Sequence, residues 1–144
     1  MTTSTVPQLK HNLLAALKAE ADLHGVQVSW GWPKSPTREM IVLGDVPEHD
    51  RQYVSLGRLS QEEDYVLEVG VRVERPGVDQ EAATTRAYEL VAVLEGVVKA
   101  DMTFGGIARE GAFLGSALEE FVGSTDEARI AVVTCRVSVK ARLA

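Results

Sequence analysis

The stretch Ala100-Asp-Met-Thr-Phe-Gly-Gly-Ile-Ala-Arg-Glu-Gly111 sets two adjacent glycines, and a third five residues on, directly after a long apolar-periodic segment. Glycine-rich backbone of this kind can cradle a phosphate, because its N–H groups are free to approach an anion. A phosphate loop, however, follows a strand and opens a helix whose unpaired N–H groups complete the site. Here a helical pattern precedes Gly105-Gly106 and a strand pattern follows, and no Gly-Lys-Ser or Gly-Lys-Thr occurs in the chain. The expectation is a turn built on positive-φ residues.

The other reactive residue types are sparse. His11, His24 and His49 share no metal-ligand spacing. The first two fall on or at the end of a helical pattern and the third in a polar loop, so all three read as solvated or helix-end histidines. Cys135, the single cysteine, alternates with valines and an alanine and reads as a small core hydrophobe. Glu62-Glu63-Asp64 and Glu119-Glu120 supply adjacent carboxylates. Neighbouring residues on a strand or turn point apart and nothing apolar encloses these, so solvated turns are expected rather than an acid–base pair. Trp30 and Trp32 fall on one side if their strand continues, which suits core or subunit-interface packing better than a ligand face. No catalytic, cofactor-binding or metal site emerges, and the residues describe a structural or interaction protein rather than an enzyme.

The chain of 144 residues is expected to form one domain. A domain of that size buries roughly 68–70% of its unfolded surface and needs no staple. A net charge of -6 argues against a general nucleic-acid binder, whose phosphate contacts require clustered Lys and Arg. One cysteine excludes an intrachain disulfide framework. The opening MTTSTVPQLKHN lacks a basic segment followed by an apolar run, and no apolar run approaches the roughly 20 residues of a membrane span. A cytoplasm-like environment without membrane attachment is expected.

The elements that must position these residues follow from periodicity. Thr5-Val-Pro-Gln8 reads as a capping box with Pro7 in the first turn. Leu9, Leu13, Leu17 and Ala21 then mark one helical stripe, broadened by Leu14 and stopped at His24-Gly25. Val26–Trp30 alternates as a strand, and Gly31 to Arg38, with two prolines, breaks it. Glu39–Val46 is a second strand, a polar loop surrounds Pro47–Asp50, and Tyr53–Leu56 is a third short strand. Asp64–Glu74 gives the clearest alternation, with Tyr65, Leu67, Val69, Val71 and Val73 on one face. Asp79 caps a second helix whose stripe is Ala83, Ala87, Leu90, Leu94 and Val97. Ala112–Val122 reads as a strand, with a short helix the alternative, and Glu127–Leu143 as a last strand with Ala131 through Leu143 inward at odd numbers. The order is α-β-β-β-β-α-β-β: an α+β fold, mostly antiparallel, with two helices on one face of the sheet.

One pattern points to assembly. The outward face of the last strand carries Arg136, Lys140 and Arg142, whereas that of the Asp64–Glu74 strand carries Glu68 and Glu74. These faces either pair within one sheet or meet across a subunit boundary, as a head-to-tail ring requires of two different surfaces. Together with Trp32 and Arg38 at either end of the proline-containing loop, they form the candidate subunit or partner interface.

Taken in order, the chain resembles the tail-terminator (tail completion, minor tail) proteins of long-tailed bacteriophages. The resemblance spans nearly the whole chain. It runs from a helix ending in HGVQVSWGWP through EMIVLGDV, YVSLGR, DYVLEVGVRVERPG and DQEAATTRAYELV to ADMTFGGI and a final VSVKARL. It implies a single terminator-like domain over residues 1–144, in a homo-oligomeric ring of six at the head-proximal end of the tail tube. It further implies that the ring, assembled in the host cytoplasm and carried in the virion, halts tube polymerisation. As partners it implies the tail tube protein and the head–tail connector or stopper, with DNA passing through without specific binding. Gly105-Gly106 then matches the family's turn out of the second helix. The family shares no catalytic motif, so no active-site residue or cofactor carries over. Two other readings stay open at this point: a head-completion or stopper protein of the neck, and a small ligand-binding or enzymatic α+β domain of the host.

Overall fold

The computed structural model describes residues 3–53, 61–124 and 127–143. Its framework is a pair of sixteen-residue antiparallel strands, β4 (Gln61–Pro76) and β6 (Ala128–Leu143), matched residue for residue from Gln61 opposite Leu143 to Pro76 opposite Ala128. Strict alternation is what makes them pair so far. Tyr65, Leu67, Val69, Val71 and Val73 lie directly opposite Val139, Val137, Cys135, Val133 and Ala131, and all ten are buried. A slip of one residue would turn every one of them to water.

The remaining strands flank that pair. β5 (Glu110–Val122) runs antiparallel along β6, and β2 (Glu39–Leu43) and β3 (Glu48–Tyr53) both run antiparallel along β4, on different stretches of it. β1 (Gln27–Trp30) lies parallel to β2, so the sheet of six strands is mixed, with β1 and β5 at its two ends. A parallel connection usually needs a helical crossover. Here both strands are short, and the eight residues from 31 to 38 reach about 27 Å when extended, enough to return without a helix.

Both helices cover the face that carries the odd positions of β4, giving the α+β architecture expected. α2 (Gln80–Ala100) starts on Asp79, whose carboxylate accepts the Ala82 amide at 3.0 Å. Its buried line is Ala83, Ala87, Leu90, Val91, Leu94 and Val98, whereas Val97 is half-buried, one position off the expected stripe. α1 (Val6–Ala19) buries Leu9, Leu13 and Leu17 beneath the same sheet.

Several expectations are corrected. The capping box does not form: the Thr5 hydroxyl donates to Glu63 and the Gln8 side chain to Asn12. α1 ends at Ala19 with Glu20 extended, so Ala21 opens a separate 3-10 turn over Ala21–Leu23 and is exposed. Gly25, at φ +82°, turns the chain into β1 rather than stopping α1. The polar segment after Pro47 is β3, because its residues pair with the first half of β4 from Glu48 opposite Val66 onward. The third strand expected at Tyr53–Leu56 overlaps only the end of β3, its other residues lying outside those described. The Glu62-Glu63-Asp64 segment is no solvated turn: it belongs to β4, and Glu63 is fully buried, while Glu119-Glu120 is exposed but lies within β5 rather than in a turn.

Candidate functional site

The glycine turn resolves first. Asp101 follows α2, and its Oδ1 accepts the Thr103 amide at 3.1 Å and the Thr103 hydroxyl at 2.7 Å, while Oδ2 accepts the Gly105 amide at 2.8 Å. The Thr103 hydroxyl in turn accepts the Gly106 amide at 3.2 Å. The N–H groups that a phosphate would need are therefore spent within the turn, on the Asp101 carboxylate and the Thr103 hydroxyl. Hydrogen bonds from the Thr103 hydroxyl and the Gly105 and Thr103 amides hold that carboxyl below its ordinary range. Phe104, Gly105 and Gly106 all have positive φ, at 52°, 76° and 86°, so the segment is a left-handed turn as expected. Its work is packing: Phe104 is buried, its carbonyl accepts the Asn12 side chain of α1 at 2.8 Å, and its ring lies against Gly111 at the start of β5.

The most constrained polar cluster is one that reading by motif missed. Glu63 Oε1 accepts the Thr5 hydroxyl at 2.5 Å and the Thr5 amide at 2.6 Å, with the Ser4 hydroxyl at 3.4 Å. Its Oε2 meets His49 Nε2 at 2.8 Å, and the Tyr65 hydroxyl lies 3.0 Å from that of Thr5. Burial alone would raise the Glu63 carboxyl, but the bonds from Thr5, His49 and Ser4 outweigh it and hold it below 4.5. Burial also pushes the Tyr65 hydroxyl up to about 12. A carboxylate at the start of α1 also suits the helix dipole. Every oxygen is occupied and Glu63 has no exposed surface, so the cluster is a clamp between α1, β3 and β4 with no open position for a substrate. His49 is thus no solvated loop histidine, whereas His11 and His24 are exposed as expected. The available signal was parity: two steps back from Tyr65, the inward positions of β4 reach Glu63.

Lys10 is a second buried polar residue that the sequence reading passed over. It leaves the polar side of α1, donates to the Gly44 carbonyl at 2.9 Å and sets its ammonium 4.8 Å from the centre of the Trp30 ring. Desolvation lowers its pKa, partly opposed by Asp45. Glu39 organises a third cluster. Arg86 binds it in bidentate fashion at 2.8 and 3.2 Å, and Arg75 approaches at 3.4 Å, tying α2 to β2 and β4. Among the described residues no group of three His, Cys, Asp or Glu side chains is placed to hold a metal.

What remains open is the helix-free face of the sheet, where most of the candidate interface residues fall. Glu68 lies directly opposite Arg136, Asp64 opposite Lys140 and Glu62 opposite Arg142, so acid and base alternate across β4 and β6 within one sheet. Glu74, further along β4, is opposite Ile130 and 3.9 Å from Arg72. Arg136, Lys140 and Arg142 are exposed, and Glu68 and Glu74 half-buried. Trp32 leaves the proline loop over Arg72, 5.9 Å from ring centre to guanidinium carbon, and remains 65% exposed, so it is no core residue. Together with Phe121 of β5 it lines an open trough of about 680 Å³, also lined by Val42, Gly70, Val132 and Thr134. Arg38 stands apart, beside Glu39 and Arg75 in a second cleft of about 570 Å³.

No protein-family model matches the chain, and no curated protein matches it. Among solved structures, a chain of the "Virion of native gene transfer agent (GTA) particle" is similar at 13% identity with a TM-score of 0.56. The match covers 97% of this chain and 100% of that one. At this identity the likeness is one of fold, and it extends over the full architecture.

Proposed function

We propose that the chain is a structural virion protein: a single tail-terminator-like domain that forms a ring, of six by the resemblance, at the head-proximal end of a phage tail tube. There it stops tube polymerisation and offers the docking surface for the head connector. The observation that carries the reading is the fold shared end to end with a virion chain, in agreement with the terminator-like order of motifs in the sequence. The glycine turn supports it too, because Asp101 closes the one segment that suggested nucleotide chemistry. The chain acts by contact rather than catalysis: Trp32, Glu68, Glu74, Arg136, Lys140 and Arg142 present a face of mixed charge around an apolar trough, suited to specific docking on other virion proteins.

Deleting the protein from its phage is expected to leave heads and tubes assembling separately, with tubes of irregular or excessive length. The purified protein added to polymerising tube protein should cap tubes and shorten them in electron micrographs. Tails of normal length that fail to join heads or retain DNA would overturn the terminator reading in favour of a neck stopper.

A further inference from the structure

The two ends of the sheet differ in a way that bears on self-association. At one end β1 is four residues long, and the proline loop after it returns past the start of β1, where the Gln27 side chain holds it. The Gln27 side chain donates to the Ser35 carbonyl at 3.3 Å and accepts the Thr37 amide at 3.0 Å. That loop, from Gly31 to Arg38, contains Lys34 and Arg38 and no acid. Both cations are exposed, and neither makes an ion pair among the described residues. At the other end β5 runs thirteen residues and, among the described residues, pairs on one side only, with β6. It contains Glu110, Glu119 and Glu120, all exposed, and no Lys or Arg. It also leaves Leu114, Leu118, Phe121 and Val122 between 37% and 51% exposed. A long, apolar, unpaired edge strand is one that a soluble protein ordinarily covers.

We infer that the β5 edge of one copy packs against the Gly31–Arg38 loop of a second copy of this chain, in a head-to-tail contact that repeats around a ring. The inference rests on the ring reading above and names the surfaces that close it. Opposite charge selects the occupant. Glu119 and Glu120 point to opposite faces of β5, Glu120 accepting the Thr84 hydroxyl of α2 at 2.5 Å, and together they make its edge acidic against Lys34 and Arg38 of the neighbouring loop. The same acids disfavour a two-fold pairing of β5 with β5, which would gather like charges along one seam. Two different surfaces in contact make a heterologous interface, and such an interface forms a ring when the rotation between neighbours closes.

Charge reversal separates these arrangements. Sedimentation velocity or native mass spectrometry would compare the wild type with Lys34→Glu/Arg38→Glu and with Glu119→Lys/Glu120→Lys. Each double variant is expected to weaken association on the order of tenfold or more, most clearly at low salt. An equimolar mixture of the two should restore assembly, since each now supplies the sign that the other lacks. Circular dichroism checks that both variants are folded, the altered side chains being exposed. A wild type that stays monomeric, variants that assemble as the wild type does, or assembly lost only on reversing β5 and not the loop would each overturn the inference. The tube-capping experiment reads the functional proposal independently: capping by a protein whose rings ignore these reversals would keep the terminator reading and discard this interface.

Discussion

Glu63 is a carboxylate withdrawn from water and held by hydrogen bonds from three other residues, Ser4, Thr5 and His49. Because its folded pKa lies below the ordinary 4.5, it contributes stability above that value and loses it as the pH falls through the lower folded value. The wild type should therefore lose stability on acidification below about pH 4.5, where the carboxyl begins to protonate. Glu63→Gln should cost about 1–3 kcal/mol at neutral pH, since the amide cannot accept every bond the carboxylate does, and should flatten the acid limb. Urea titrations across the acid range test both, and an unchanged acid limb in the variant would assign the pH dependence to other groups. Gly111 poses a steric question instead. A Cβ there would run into the Phe104 ring and come within 2.9 Å of the Met102 carbonyl oxygen. Gly111→Ala should lower stability by about 1–3 kcal/mol, as overpacking a rigid turn does. A melting temperature equal to that of the wild type would show that Phe104 swings away freely.

Among the elements, β6 holds the sheet together, because it is the inner strand between β4 and β5. Val137 lies opposite Leu67 on one side and Phe113 on the other, with no exposed surface. Val137→Asp should cost about 3 kcal/mol or more, since it places an unpaired charge in that layer. A soluble variant melting near the wild-type temperature would reverse the assigned faces of the strand. Cys135, one pair along, has its thiol pushed up to about 12 by burial, with the Glu95 carboxylate adding to the shift. The same facing predicts slow labelling by a thiol reagent until the protein is unfolded. The outward face of β4 and β6 follows a different logic. Its acids and bases are cross-strand neighbours, worth little each in water, and their regular alternation leaves that face of the sheet without a large field of one sign.

The whole molecule carries a net charge of -6, and the exposed cations of β6, Arg136, Lys140 and Arg142, stand opposite Glu68, Asp64 and Glu62 of β4. On the ring reading proposed above, DNA would pass through the assembly, and a surface that does not grip phosphates suits that. Accordingly, the purified protein should not retard duplex DNA in gels at near-physiological salt. Tight, salt-dependent binding would reveal a cationic lining and count against a passive ring.

Much of the architecture was legible in the order of residues. Asp64–Glu74, the last strand and the capped second helix stand out because a period of two or of 3.6 is local: each side chain's facing follows from its neighbours in sequence. The turn at Gly105-Gly106 was legible for the same reason, since positive φ is a property of single residues. What tertiary structure decided depends on partners far apart in the chain. Thr5 looks like a helix cap until Glu63 arrives from β4 to take its hydroxyl and amide, and His49 looks solvated until β3 pairs beside that acid. The parallel setting of β1 on β2, the direct opposition of Glu68 and Arg136, and the placing of a short β1 and a long β5 at the two ends of the sheet likewise come from register and strand order. Periodicity assigns a residue to a face, but only packing chooses which strand lies beside it, because that choice is set by the summed burial of the entire sheet rather than by any local stretch.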